Sequence, residues 1–387
     1  MKNKIELFKR YLINTLFFFL PWWLLVQNIV LISLTLLPPY KIKKEQFKLI
    51  KKGFLLFIVY TFLNSLFNNT IGVEKENLLK ILPLVFIPFV FNKLKTKVIY
   101  DGLLFLFIGI ILMQLYSIYG VIDYQYFYEG KKYELTNYTK LNSILGFERP
   151  YLGYFSALNI ILSYFFFKRT KKWIFSIGGI LSLGTIFYVS ARLALILSII
   201  FLITILLNEI KSKKKIVTLI LGSLVIVVIF LFAFNSSIKK RFSLIQKDSR
   251  TVIWSGTLKE LNTSKDFIFG NGSLVKTRNN LYSFYRTYDK FENIDVKNRF
   301  IKKNYNTHNQ FLSELIRGGV LGLFLFIFPI IIAIKENIKK KNIINISILV
   351  SIVLFLLVEN LLERQIGVYL LALVLTITTF KDKLLEE

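Results

Sequence analysis

The chain has a single histidine, His308, in the run Thr307-His-Asn-Gln-Phe311 directly before an apolar segment. Among protein side chains, only histidine ordinarily changes its charge near neutral pH, so a neutral imidazole among cationic groups suits a general base. A purely structural histidine is the alternative. We predict that His308 accepts a proton from a substrate and that its polar neighbour Asn309 supports it.

Three arginines also stand at the ends of apolar runs, where a buried charge would be costly. They are Arg149 before Pro150, Arg192 in Ser190-Ala-Arg, and Arg250 in Arg250-Thr-Val-Ile-Trp254. A guanidinium fork binds a phosphate through two hydrogen bonds, and a helix beginning at Pro150 would place Arg149 over an anion-attracting N-terminus. The alternatives are an Arg192 that extends to lipid headgroups, a solvated Arg149, and an Arg250 stacked on Trp254.

A fifth polar group lies near the C-terminus, in the run Glu359-Asn-Leu-Leu-Glu363-Arg364-Gln. An ion pair within this turn would fix its shape. In the other interpretation, Glu363 orients a basic partner or His308. Glu363, Arg364 and Trp254 are therefore expected to support the site.

Composition identifies the chain as a membrane protein. It has 387 residues, of which 54% are hydrophobic, and a mean hydropathy of +0.55. The absence of cysteine excludes disulfides and cysteine catalysis, and one histidine excludes a His-rich zinc site. Acidic residues form no cluster typical of a hard metal site, so we expect neither metal nor cofactor. The basic residues form short clusters between apolar runs, which indicates orientation in a membrane and not binding to nucleic acid.

The apolar runs predict an all-α polytopic fold with about twelve transmembrane helices, because each span needs about 20 mainly apolar residues. Basic loops are cytoplasmic, which places both termini inside and all five polar groups on the outer face. Residues 12–37 are predicted as two short helices, with one long helix as the alternative. The predicted organisation is a bundle of about nine helices over 1–234, a long outward loop over 235–309, and further spans over 310–387. That loop also carries Lys239, Lys240 and Arg241.

The motifs together resemble a known family. The run from His308 to Leu323, downstream of Arg250-Thr-Val-Ile-Trp254 and Phe269-Gly-Asn-Gly272, is similar to the O-antigen ligase and polymerase family. Ser190-Ala-Arg192, Pro150-Tyr-Leu-Gly153 and Glu363-Arg-Gln-Ile-Gly367 also resemble that family. The resemblance extends from about residue 146 to residue 370, and the order of the motifs makes it specific.

The resemblance implies a GT-C-like glycosyltransferase of the bacterial inner membrane, with a periplasmic active site. Its donor would be a glycan linked to undecaprenyl diphosphate. A ligase would transfer this glycan to lipid A-core, whereas a polymerase would use another lipid-linked repeat. By the same resemblance His308 would be the base, and Arg192, Arg250 and Arg149 would hold the donor diphosphate. A flippase or transporter for such lipids and a structural membrane anchor are the competing functions.

Overall fold

The computed structural model describes residues 2–37, 48–92, 94–124, 138–189, 191–209, 249–261, 264–291 and 293–380. These residues form α-helices, one short 3-10 turn at Leu361–Glu363 and no strand. The helices are α1 Lys2–Phe19, α2 Leu24–Leu36, α3 Lys48–Phe67, α4 Ile71–Ile81, α5 Pro83–Phe91, α6 Thr96–Asp123, α7 Tyr138–Leu145, α8 Arg149–Thr170, α9 Ile174–Val189, α10 Arg192–Glu209, α11 Ser249–Lys259, α12 Ser264–Phe269, α13 Leu274–Thr287, α14 Ile294–Lys303, α15 Gln310–Lys340, α16 Ile343–Leu356 and α17 Gln365–Thr378.

Within these described ranges, five helices are long and apolar enough to cross a membrane: α3, α6, α8, α10 and α15. Four shorter apolar helices accompany them, namely α2, α9, α16 and α17. The prediction of an all-helical membrane protein is confirmed. The predicted ninth span, residues 216–234, and the basic residues Lys239, Lys240 and Arg241 lie outside the described residues.

Residues 12–37 form two helices, as the sequence predicts, with a break at Pro21. The indole of Trp22 holds this break against the bundle, because its Nε1 donates to the carbonyl of Gly109 at 2.8 Å. The Gln27 side chain donates to the carbonyls of Phe19 and Leu20, where α1 ends. The aromatic turn is therefore packed against α6, and the single-helix alternative is wrong.

Contacts between helix ends define the direction in which the central helices run. Gly153, near the start of α8, packs against Ala191 at the start of α10. At their other ends, Lys168 of α8 pairs with Glu209 of α10 at 2.8 Å. Helices α8 and α10 are therefore parallel, as the alternation of basic clusters predicts. The first residues of α8 and α10 lie at the same end of the bundle as His308, and we call this end the histidine end. We call the other end of the bundle the opposite end.

Helices α11, α13 and α14 have a small apolar core of their own. Its buried members are Ile253, Leu281, Tyr285 and Phe300. The rings of Tyr285 and Phe300 pack edge to face at 5.2 Å, an arrangement favoured by their quadrupoles. This core packs α11, α13 and α14 against one another, apart from the main core of the bundle.

Helix α15 is interrupted at Gly319, where φ is +63° and ψ is −167°. A Cβ atom at this position would lie 2.2 Å from the carbonyl of Ile268, so only glycine fits. The turn Phe269-Gly-Asn-Gly272 docks on the break, since the N–H groups of Asn271 and Gly272 donate to the carbonyls of Ile316 and Arg317. The interruption leaves carbonyls without helical partners, and this turn satisfies two of them.

Candidate functional site

His308 has a left-handed backbone, with φ at +45°. Its side chain is 30% exposed, and its Nδ1 lies 3.7 Å from a carboxylate oxygen of Glu359. A left-handed conformation costs a non-glycine residue about 1–3 kcal/mol and persists only where the surroundings enforce it. The histidine is therefore held in a strained position next to an acidic side chain.

The residues on both sides of His308 enforce that position. Trp254 of α11 donates from Nε1 to the carbonyl of Thr307 at 3.0 Å. The hydroxyl of Thr307 and the backbone N–H of Asn309 both donate to the side-chain carbonyl of Asn360, at 3.0 and 2.7 Å. Asn309 in turn caps α15 by accepting from the N–H of Leu312. The backbone at 307 and 309 is thus fixed by side chains from two distant segments.

Glu363 lies in the same turn as Asn360, but its carboxylate contacts residues other than His308. It accepts hydrogen bonds from Arg278, Asn306 and Asn360. Because Asn306 also accepts from the backbone N–H of His308 at 3.2 Å, Glu363 supports the histidine loop indirectly. The carboxylate that faces the imidazole is Glu359.

Arg364 pairs with Glu148 at 3.0 Å and so joins the start of α17 to the start of α8. Burial raises the pKa of Glu148; Arg364 lowers it in part, and the charge of Glu359 raises it. Two carboxylates, Glu148 and Glu359, therefore lie at this end with the arginines. Glu363 and Arg364 therefore form ion pairs with other segments and not with each other.

Each of the three predicted arginines lies at the histidine end. Arg250 is half-buried and its Nη2 is 3.5 Å from the carbonyl of Val358, next to Glu359. Arg149 is the first residue of α8, with Pro150 second, and its N–H donates to Asn142. Arg192 is exposed at the first position of α10. Arg250 and Trp254 lie on one face of α11, which covers the segments at 307 and 358.

Sequence reasoning missed several groups that build the site. Glu359 and Asn360 belong to a turn whose acidic residues were noted, but which acid faces the imidazole depends on the fold of the turn. Outside the site, the sequence reasoning also missed the buried ion pair between Glu314 and Arg317, whose side chains are 1% and 2% exposed. Its i,i+3 spacing in an otherwise apolar run was the available signal.

Among the described residues, His, Asp and Glu side chains form no group of three or more that could hold a metal ion. The groups at the histidine end that could act on a substrate include an imidazole, its neighbouring carboxylate and guanidinium groups. Together they can accept a proton from a hydroxyl and neutralise an anion.

A comparison with curated proteins found no match to the chain. A comparison with protein families matched residues 177–327 to the family described as O-antigen ligase. This range contains Arg192, Arg250, Trp254 and His308, and it ends within α15. The match confirms the resemblance indicated by the sequence motifs: residues 177–327 are similar to the O-antigen ligase family, which supports the O-antigen ligase and polymerase family named from those motifs.

Proposed function

We propose that the protein is an O-antigen ligase that transfers a glycan from undecaprenyl diphosphate to a hydroxyl group of lipid A-core. The observation that carries the proposal is the strained, partly exposed His308 beside Glu359, at the end of the bundle where Arg149, Arg192 and Arg250 lie. The family match supports glycan transfer as the class of reaction.

In the proposed reaction, the imidazole of His308 takes the proton of the acceptor hydroxyl as its oxygen attacks the anomeric carbon. The bond from that carbon to the diphosphate breaks, and undecaprenyl diphosphate leaves. Glu359, 3.7 Å from Nδ1, orients the ring and stabilises the imidazolium, which leaves Nε2 for the acceptor. A single displacement inverts the configuration at the anomeric carbon.

The arginines stabilise the charge that grows on the departing diphosphate. Arg250 is held over Val358 on the same segment as Glu359, so its position relative to His308 is set by the same turn. Preorganised cations are effective because they need no rearrangement as the charge develops. Arg192 and Arg149, which begin neighbouring helices α10 and α8, would bind the diphosphate from the bundle.

The basic clusters support a location in the inner membrane, with both termini cytoplasmic and His308 periplasmic. About twelve spans and a GT-C-like arrangement belong to the same proposal. A polymerase that adds the glycan to another lipid-linked repeat would use the same chemistry, and the family match favours it as the second candidate. A flippase fits less well, because the arginines gather at one end of the bundle.

The test is made in cells that lack the gene, complemented at matched expression with the wild type, His308→Ala or Arg192→Ala. Surface polysaccharide is then examined on a gel. A deletion that leaves core lipid without polymer, while polymer accumulates on the undecaprenyl carrier, identifies a ligase. A single repeat on the core identifies a polymerase. If both variants restore wild-type glycans, the proposed site is wrong and a transporter becomes the better hypothesis.

A further inference from the structure

The segment between residues 249 and 309 is basic in a way that topology does not require. It contains 11 Lys and Arg against 5 Asp and Glu. Short outward loops of membrane proteins carry few basic residues, and long ones cross the membrane whatever their charge. The positive charge of this segment, which lies at the histidine end, therefore has another cause.

Part of this charge forms a patch on α14. Arg299, Lys302 and Lys303 are all exposed, whereas Phe300 between them is buried in the small core. Positions separated by three and four residues share one helix face, so the three cations are neighbours. Like charges at this spacing oppose helix formation. Although cations in the last turn favour the helix dipole, their crowding on one face indicates a role in binding.

An aromatic side chain connects this patch to the histidine. The Nζ of Lys303 lies 5.8 Å from the ring centroid of Tyr305. The ring of Tyr305 in turn lies 5.8 Å from that of His308 and packs on Phe300 at 5.1 Å. Tyr305 as a whole is partly exposed. A flat ring that is held by packing offers an apolar platform beside a polar edge.

We infer that Arg299, Lys302, Lys303 and Tyr305 form the acceptor subsite, and that the acceptor glycan carries negative charge as carboxylate or phosphate groups. The inference rests on the proposed function, since it uses His308 as the base that receives the acceptor hydroxyl. A sugar next to the reacting hydroxyl stacks on Tyr305, and its anionic neighbours pair with the cations of α14. The donor diphosphate binds separately, at the arginines of α8, α10 and α11.

The test measures binding of two fluorescent probes, hexagalacturonate and neutral maltohexaose, to the full-length protein in detergent. We expect the acidic probe to bind at least about 10-fold more tightly, with an affinity that falls as salt is added, because charge pairs are screened. The variant R299Q/K302Q/K303Q should lose this preference. The matched control K171Q/K172Q/K339Q removes three exposed lysines at the opposite end and should keep it.

Two further variants separate this inference from the proposed function. His308→Gln should bind the acidic probe as the wild type does but should lose transfer. Retained transfer in this variant would refute the proposed function and would leave the subsite untouched. Tyr305→Ser should weaken both probes, whereas Tyr305→Phe should bind them normally. Equal binding of the two probes, or an equal loss in the control triple variant, would overturn the subsite.

Anionic lipid is the competing occupant of the basic patch. The same measurement in nanodiscs of phosphatidylglycerol and of phosphatidylcholine distinguishes the two. The subsite predicts the same preference for hexagalacturonate in both lipids. A preference that disappears only in phosphatidylglycerol would mean that the patch lies on the membrane surface, which contradicts the inference.

Discussion

The two ends of the helix bundle use charged side chains differently. At the opposite end, ion pairs such as Arg10 with Asp101 and Lys168 with Glu209 join neighbouring helices and are partly exposed. Solvent-exposed ion pairs contribute about 0–1 kcal/mol each. At the histidine end, the ion pair of Arg364 with Glu148 also joins two helices, but the neutral side chain of Asn360 fixes the backbone on both sides of a strained residue. A carboxylate, that of Glu359, faces the imidazole of this residue.

The largest expected effect comes from removing the imidazole while relieving the backbone. His308→Gly should lower the transfer rate by about 10²–10⁴-fold, because a general base is lost, and should not lower the melting temperature. Lys341 also has a left-handed backbone, with φ at +55°, at the opposite end. Lys341→Gly should stabilise the protein by about 1 kcal/mol and leave transfer unchanged. Thermal unfolding and transfer rates are measured on both variants. Full activity of His308→Gly would mean that the left-handed residue at the histidine end has no more catalytic importance than Lys341 at the opposite end.

The second comparison concerns arginine. Arg250→Gln should reduce transfer by about 10²–10³-fold, the usual cost of one preorganised charge donor. The control is Arg169→Gln at the opposite end, where the guanidinium stacks 4.3 Å from the ring centroid of Tyr100. Arg169→Gln should transfer the glycan from the same lipid-linked donor at the normal rate. Initial rates at saturating acceptor compare the two, and similar losses would show that net charge matters more than position.

Two tryptophans offer a matched pair for a smaller effect. Trp254 donates to the carbonyl of Thr307, and Trp22 donates to that of Gly109 within the bundle. Each change to Phe should cost about 1 kcal/mol of stability for the lost hydrogen bond. Only Trp254→Phe should slow transfer, by about 10-fold, because displacing a reacting group by about 1 Å can cost about 10²-fold. A slowing of the same size in Trp22→Phe would mean that any loss of stability impairs activity.

The smallest effect concerns acid stability. The pKa of Glu148 is raised in the folded protein, so the folded state binds this proton more tightly than the unfolded state does. Its protonation therefore adds to the free energy of unfolding at low pH, and this contribution is lost as the pH rises through the raised pKa. Glu148→Gln should therefore melt slightly higher than the wild type near neutral pH, with the difference shrinking on acidification. Arg364→Gln removes the group that lowers this pKa and should move the loss to higher pH. Melting curves from pH 4 to 8 check both, and a pH-independent difference would exclude this origin.

Hydropathy and basic clusters were enough to predict an all-helical membrane protein and to place Arg149, Arg192, Arg250 and His308 at one end, because both signals are local in sequence. They did not predict the short helices α11 to α14 within the long loop. They did not identify Glu359 as the neighbour of His308, since the choice between Glu359 and Glu363 depends on the fold of a short turn. Nor did they show that Asn360 fixes the backbone on both sides of the histidine. Such contacts join segments about 50 residues apart, and no periodicity records them.

The interruption of α15 at Gly319 also has a mechanical consequence. At about 1.5 Å per residue, the segment from Gln310 to Gly318 is a lever about 13 Å long, so a tilt of about 10° at the break would move its far end by about 2 Å. That far end adjoins His308. The turn at 269–272 is hydrogen-bonded to the break and therefore limits this tilt. The position of His308 thus depends on contacts at Gly319, at the far end of the segment from the histidine.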